Sequence, residues 1–423
     1  MRPRCKQKGV LKMKVAIMGY GVVGSGVASL LKKNYDQIVK KSMQTEMELA
    51  YILDRRTFPG DPNEHLVMAD YTRIVSDPDV RIVVETMGGL HPAFEYVSAC
   101  LEAGKSVVTS NKELVAAKGY ELLKIAERKN VNFLFEASVG GGIPIIRPIT
   151  QCLAANDIDE IAGILNGTTN FILTMMIEKG MTFDEALLLA QRNGYAERDP
   201  SADVDGFDAC RKICILAALC FGKHVYPDEV HTEGIRGIQL ADVDYARAWG
   251  GVIKLIARAK RLAPNKIAAL VSPAFVQGHS QLATVDDVFN AILVRGDAIG
   301  DVVFYGKGAG AMPTASAVVA DVIDCAKHLE RRKFFGWQDS EPDYIADYLD
   351  IENAVYLRVT AEDPAAALAA IGSTLGAVQM LKRENAPDGE LAFITEPITE
   401  RKLRAVLAEI PAAVQSMIRV TDY

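Results

Sequence analysis

The sequence predicts an α/β protein in three parts: a doubly wound parallel sheet, an α+β middle segment and a terminal βαββαβ unit. Three observations carry this expectation. Near the start, "KVAIMGYGVVGSGVASLLKKN" passes from a β-rich apolar run through a glycine-spaced turn into an apolar helix. Strand-like runs then alternate with helix-like segments, the pattern of a parallel sheet with right-handed crossovers. The last part of the chain repeats strand and helix signals in the split order of a ferredoxin-like unit. A chain of 423 residues is too long for one core. The expected divisions are 13–142, completed by a returning segment at about 311–335, then 143–310, then 350–423.

The first strand is expected over Lys14 to Met18, followed by Gly19, Gly21 and Gly24 in the spacing G-x-G-x-x-G. Gly19 permits a tight turn, Gly21 lets backbone approach a pyrophosphate, and Gly24 lets the helix pack on the strand. The amides around Val22 and Val23 open the helix and face the anion. A dinucleotide, NAD or NADP, is the expected ligand. The second strand, "ELAYILDRR", should end near Asp54. An acidic residue there suits the ribose hydroxyls of NAD, whereas Arg55 and Arg56 suit the extra phosphate of NADP. Both are present, so preference stays open, and a solvated loop is the plain alternative for the arginines.

Further strands are expected in "RIVVETMGG", "KSVVTSNKE" and "NFLFEASVGGG", separated by helix-like "HPAFEYVSACLEAG" and "ELLKIAERKN". Their carboxyl ends, Thr86 to Gly89, Thr109 to Lys112 and Glu136 to Gly142, are where ligands bind in an open parallel sheet. Thr86, Ser110 and Lys112 are therefore candidates to face the cofactor, and Lys112 is a candidate for chemistry.

The net charge of −7 argues against a dedicated nucleic-acid binder. The opening "MRPRCKQKGVLK" is basic but has no apolar run for a signal peptide or anchor; it reads either as a short tail or as a segment ahead of a natural start at Met13. No run suits a transmembrane helix. Seven cysteines, at 5, 100, 152, 210, 214, 220 and 325, show no zinc spacing and are expected to be reduced and buried in a cytoplasmic protein.

From Thr150 the composition turns helical. Thr182 and Glu185 form a capping-box pattern, and the helix they open should end near Gly194. Next comes "NGYAERDPSADVDGFDACRK", which gathers Glu197, Asp199, Asp203, Asp205 and Asp208 before Lys212. With a helix beginning near Gly206, Asp208 and Lys212 lie four apart on one face. A lysine held this way is oriented to pass a proton to a forming alkoxide, while Glu197 and the loop aspartates suit a substrate ammonium group. A helix-surface ion pair is the alternative.

Ala190, Gly194, Tyr195, Ala196, Asp199, Pro200, Asp203, Val204, Gly206, Asp208 and Lys212 resemble, in spacing and identity, the long motif of homoserine dehydrogenases. "GILNGTTNFILTMM", "VVTSNKELVA", "EASVGGGIPII" and "FYGKGAGAMPTASAVVADVID" resemble other stretches of that family, so that the likeness runs in order from about 13 to 335. The resemblance implies NADPH- or NADH-dependent reduction of L-aspartate 4-semialdehyde to L-homoserine, on the route to threonine, methionine and isoleucine. It implies a Rossmann-type first domain, Lys212 as proton donor beside Asp208, Lys112 near nicotinamide and substrate, and Glu197 and Asp208 on the amino acid. A monovalent cation, Na+ or K+, is implied at Glu136, Val139, Gly141 and Ile143. Gly308 is implied in approach to the cofactor, before a helix that opens at Pro313 and runs to about Leu329 against the dinucleotide domain.

"RRKFFGWQDSEPDYIADYLD" reads as a polar linker. "AVYLRVT", "PAAALAAIGSTLGA", "VQMLKRE", "LAFITEP", "ERKLRAVLAEI" and "SMIRV" then supply the βαββαβ order, which looks like an ACT domain, a module that binds amino acids at paired interfaces. Its first loop has "EDPAAAL" where a Pro-Gly pair is usual in that family, so threonine as effector and a dimer-supporting unit without effector both stand. A homo-oligomer, dimer or tetramer, is expected. Only eighteen residues precede Gly19, which looks like the type without an aspartate kinase domain. Two rivals remain: another amino-acid or sugar dehydrogenase, and a cofactor-sensing regulator that has lost turnover.

Overall fold

The computed structural model describes residues 12–421 and 423. The basic opening through Leu11, with Cys5, lies outside the described residues. Met13 is the second residue of the first strand, which begins at Lys12.

Two compact units are present, and the first comprises the residues up to 153 together with 222–224 and 309–339. Its strands are β1 (Lys12–Met18), β2 (Glu46–Leu53), β3 (Val67–Met68), β4 (Val80–Glu85), β5 (Ser106–Thr109) and β6 (Phe133–Leu134). All pair in parallel in the order β3-β2-β1-β4-β5-β6. The order reverses at β1 and β4, which makes the ends of these two strands the switch-point crevice. Val15, Ile17, Ile82, Val84 and Val108 are fully buried, as expected of strands covered on both faces.

The returning helix is Ala311–Lys327, two residues earlier than the expected start at Pro313. Proline is tolerated there because first-turn N–H groups have no intrahelical acceptor. This helix packs on helix Val22–Lys33, where a Cβ on Gly26 would lie 3.1 Å from that of Ala315. β6 is shorter than the apolar run suggests, because the Glu136 carboxylate draws the chain back by accepting from the amides of Ile145, Ile146 and Arg147. The expected linker is partly core: Trp337 is buried, lies against Gly119 and donates to His224 Nδ1 at 3.0 Å.

In the second unit the strands are β7 (Ile158–Ile164), β8 (His231–Thr232), β9 (Gly251–Ala263), β10 (Lys266–Gln277), β11 (Phe289–Gly296) and β12 (Gly300–Lys307). The tail adds β13 (Glu352–Asn353), β14 (Val355–Thr360), β15 (Val378–Leu381), β16 (Glu390–Thr395), β17 (Ile398–Thr399) and β18 (Ala413–Thr421), with helices Pro364–Leu375 and Glu400–Leu407. One mixed sheet runs β12-β11-β7-β9-β10-β18-β14-β16-β15, with β8 beside β10. The tail strands pair antiparallel in the order β18-β14-β16-β15, which is βαββαβ with its first and last strands adjacent. The tail does not form a sheet of its own, since β18 pairs in parallel with β10 from Ala274 to Val276. A strand signal in sequence carries no information on such a partner, and the division expected at 350 falls inside one compact unit.

Thr182 and Glu185 close both bonds of the capping box over helix Phe183–Arg192, and Gly194 then takes a φ of +74°. Cys100, Cys210, Cys214 and Cys325 are buried free thiols, whereas Cys152 is exposed and Cys220 half-buried, so burial does not hold for all of them. Among the described residues no helix is long and apolar enough to cross a membrane.

Candidate active site

In the first unit the glycine turn has three distinct jobs. Gly19 has a φ of +95°, and a Cβ there would sit 2.8 Å from Met87 N. A Cβ on Gly24 would sit 2.0 Å from Gly19 O, so side chains are excluded by the turn itself. Gly21 is different: nothing lies within 4 Å of its missing Cβ. It is the N-cap of helix Val22–Lys33, which has no side-chain cap and no acid in its first turn. Exposed Val22 and half-buried Val23 follow it. Open space in front of uncapped amides fits a pyrophosphate.

Thr86 Oγ1 donates to Gly19 O at 2.8 Å and holds the ends of β1 and β4 together. Ser110 N donates to Glu85 O, and Asn111, the N-cap of helix Lys112–Lys129, donates from Nδ2 to Gly89 O at 2.7 Å. Lys112 is half-buried at the first position of that helix. Glu85, absent from the sequence-level candidates, is fully buried and accepts from Met87 N and Thr109 Oγ1, which shapes the loop after β4. Burial raises its carboxyl above the usual range.

Asp54 and Arg56, alternatives in the sequence, bind each other. Arg56 Nε donates to Asp54 Oδ1 at 3.0 Å and Arg56 Nη2 to Oδ2 at 2.8 Å, while Tyr20 N also donates to Oδ2. The guanidinium holds the Asp54 carboxyl well below the ordinary range. Arg55 is exposed beside this pair.

The implied cation position is a tight turn in which Gly140 and Gly141 have positive φ and Val139 and Ile143 are buried. The Glu136 carboxylate is committed there: besides three amides it accepts from Arg147 Nε at 3.1 Å. Such a carboxylate does not fit a cation ligand, and only main-chain carbonyls remain for that purpose. Among the described residues no group of three or more His, Cys, Asp or Glu side chains is gathered to hold a metal. Gly308, in the second unit, makes room for a protein group: a Cβ there would lie 1.9 Å from Asn290 Nδ2.

The acidic stretch of the second unit separates into individual tasks. Asp199 accepts from Ser201 N and Oγ and opens the short helix Ser201–Val204. Asp205 pairs with Arg236. Glu197 is exposed in the turn before them, its carbonyl accepting from Gln191 Nε2. Asp203 and Asp208 converge: Asn166 Nδ2 donates to Asp203 Oδ1 at 2.7 Å and to Asp208 Oδ2 at 2.8 Å.

Lys212 completes this cluster. It lies on helix Phe207–Phe221, most of whose residues are buried, and is itself 8% exposed, with Asp208 at 5%. A surface ion pair is therefore ruled out. Lys212 Nζ donates to Asp208 Oδ2 at 2.7 Å and to Leu165 O at 2.7 Å. An ammonium has three N–H bonds, so one remains beyond these two acceptors. A desolvated charge pair on an apolar helix is costly, and such pairs concentrate where chemistry needs them. Burial and the neighbouring Asp208 raise the Asp203 carboxyl above the ordinary range. Asn166 and the Leu165 carbonyl escaped the sequence reading. Asn before "GTTN" is legible as a helix cap, but nothing local points to partners near position 208.

Comparison with known proteins places the chain in a family. The NAD-binding domain model of homoserine dehydrogenase matches residues 19–136, and the homoserine dehydrogenase model matches 144–323. A homoserine dehydrogenase of Synechocystis sp. is 40% identical over 417 residues, 95% of this chain and 96% of that protein. The crystal structure of a homoserine dehydrogenase from Thiobacillus denitrificans superposes with a TM-score of 0.88 at 36% identity, covering 97% of this chain and 98% of that one. A hyperthermophilic archaeal homoserine dehydrogenase solved in complex with NADPH matches at a TM-score of 0.64 and 28% identity, covering 74% of this chain and 98% of the other. The chain belongs to the homoserine dehydrogenase family, oxidoreductases of amino-acid biosynthesis that act on a CH–OH group with a nicotinamide cofactor.

Proposed function

We propose that Lys212 is the proton donor in the interconversion of L-aspartate 4-semialdehyde and L-homoserine. The observation that carries this reading is the buried ammonium, fixed by Asp208 and Leu165 O with one N–H left over. A bound nicotinamide supplies the hydride to the aldehyde carbon and takes it back in the reverse direction. As charge develops on the carbonyl oxygen, the free N–H of Lys212 neutralises it and passes the proton, and the amine is recharged from solvent. Asp208 keeps the ammonium oriented; Asp203 and Glu197, with Asp208, supply the negative charge that suits a substrate ammonium group. Lys112, at the carboxyl end of the sheet, acts near the nicotinamide and substrate. Incubation of the purified protein with L-homoserine and NADP, or NAD, tests the reaction: the nicotinamide absorbance band should grow, and its absence at alkaline pH would overturn the substrate.

The groups proposed to hold the cofactor are the turn of Gly19, Gly21, Val22, Val23 and Gly24, then Thr86, Ser110 and Lys112, with Gly308 by resemblance. NADP is the favoured form, because Arg56 neutralises Asp54 and exposed Arg55 stands beside it. Replacing Arg55 and Arg56 together by Ala should raise the KM for NADP about tenfold or more, the scale of lost charge-assisted bonds, and leave that for NAD within about twofold. Equal losses for both cofactors would remove the arginines from the 2′-phosphate.

A monovalent cation, Na+ or K+, would rest on the main-chain carbonyls of Glu136, Val139, Gly141 and Ile143, not on the Glu136 carboxylate. The tail is proposed to be an ACT-like unit, with threonine the effector to test, and the chain a cytoplasmic dimer or tetramer on the route to threonine, methionine and isoleucine. The strand order β18-β14-β16-β15 supports the unit's fold, and effector binding rests on the resemblance alone.

A further inference from the structure

Asn166 is a neutral side chain that touches both acids of the Lys212 cluster. Its Oδ1 accepts from Thr169 N at 2.8 Å and from Thr169 Oγ1 at 3.1 Å, capping helix Gly167–Lys179. That cap fixes the amide's orientation, since a flip would turn an oxygen toward two carboxylates and lose the bond from Thr169 N. Both N–H bonds of Nδ2 are therefore aimed at acids, one at Asp203 and one at Asp208. The adjoining residue adds a second hold, because the Leu165 carbonyl accepts from Lys212. Two consecutive residues thus grip the ion pair from both ends: a main-chain oxygen on the cation and an amide on the anion.

We infer that Asn166 is a positioning residue for the proton transfer: its amide keeps Asp203 and Asp208 as separate carboxylates, so that Asp208 remains the fixed partner of Lys212. Neighbouring carboxyl groups tend to share one proton, because two like charges close together disfavour ionisation of both. The ionisable groups facing Asp203 are Asp208 and Lys212, and its carboxyl is already raised by burial and by Asp208, with the Asn166 bond pulling the other way. Without the amide the acid pair takes up a proton more readily, and the Lys212 ammonium loses a defined acceptor. This inference rests on Lys212 as the proton donor.

Asn166→Ser and Asn166→Asp test it. Both keep a good N-cap acceptor for Thr169 N, so a purely structural role predicts near-normal behaviour. Neither can donate to both acids, and Asp adds a third carboxyl. The expected result is a fall in kcat of about tenfold for Ser and about a hundredfold for Asp, on the scale of a disturbed proton-transfer group. NADPH affinity by fluorescence titration should be unchanged, and the acid limb of the kcat profile should move to higher pH in both variants. In a Lys212→Met background the Asn166→Ser change should have no further effect, because it acts through Lys212. Wild-type kcat and pH profile in both folded variants would make Asn166 a helix cap only and sink the inference while Lys212 stands. An equal loss with and without Lys212 would also overturn it. Normal turnover by Lys212→Met would remove the proton-donor reading and this inference with it.

Discussion

Lys212→Ala should lower kcat by about two orders of magnitude or more, the usual scale for a removed proton-transfer group. It should lower kcat/KM for the aldehyde in step, as expected for an interaction made in the transition state. NADPH affinity should survive, because the glycine turn belongs to the first compact unit and Lys212 to the second. Folding must be checked separately: without the ammonium, Asp208 keeps only Asn166 among its donors named above, and Leu165 O loses its bond. A thermal scan beside the kinetics separates the two effects. Lys212→Arg should not rescue, since a guanidinium stays protonated at any working pH and its planar fork does not match the two acceptors at 2.7 Å. Near-normal turnover by Lys212→Ala would transfer the proton-donor role to Lys112, which opens its own helix at the end of β5.

What was legible in the sequence is what depends on near neighbours. Gly24 could be read because turn sterics act within a few residues, its Cβ meeting Gly19 O, and Gly19 because the turn needs its positive φ, although the backbone that its Cβ would meet belongs to the distant Met87. Thr182 with Glu185 and Asp208 with Lys212 are three and four apart on a helix, so spacing alone predicts their contact. The strand and helix order of the tail was legible for the same reason. Partners brought together only by folding were not. Asn166 reaches Asp203 and Asp208 across about forty residues, β18 finds β10, and Trp337 buries itself from a stretch whose composition is that of a linker. Asp54 and Arg56 form an intermediate case: the residues stood out, but their side-chain geometry turned two alternative ligand contacts into one ion pair.

The second large effect is expected from a residue far from the proton transfer in sequence and purpose. Arg358→Met should destabilise the second unit by about 3–5 kcal/mol, the cost of leaving a buried charge without its partner. Arg358, on β14, is 5% exposed, and its Nε donates to Asp242 Oδ1 at 2.9 Å. Asp242 is fully buried and otherwise accepts from Tyr356 OH and from Gln239 N, both neutral donors. The remaining Arg358 bonds go to Gln239 Oε1 and Glu390 Oε2, so one guanidinium ties β14 to both helix Leu240–Trp249 and β16. At fixed protein concentration the thermal midpoint should fall by on the order of 10 °C. Adding Asp242→Asn to Arg358→Met should recover most of the loss, because the penalty lies in the orphaned charge and not in the missing attraction. An unchanged midpoint for Arg358→Met would mean that Asp242 is hydrated or neutral in the variant. Failure of the double substitution to recover stability would assign the loss to the packing of the long Arg358 side chain, not to its charge.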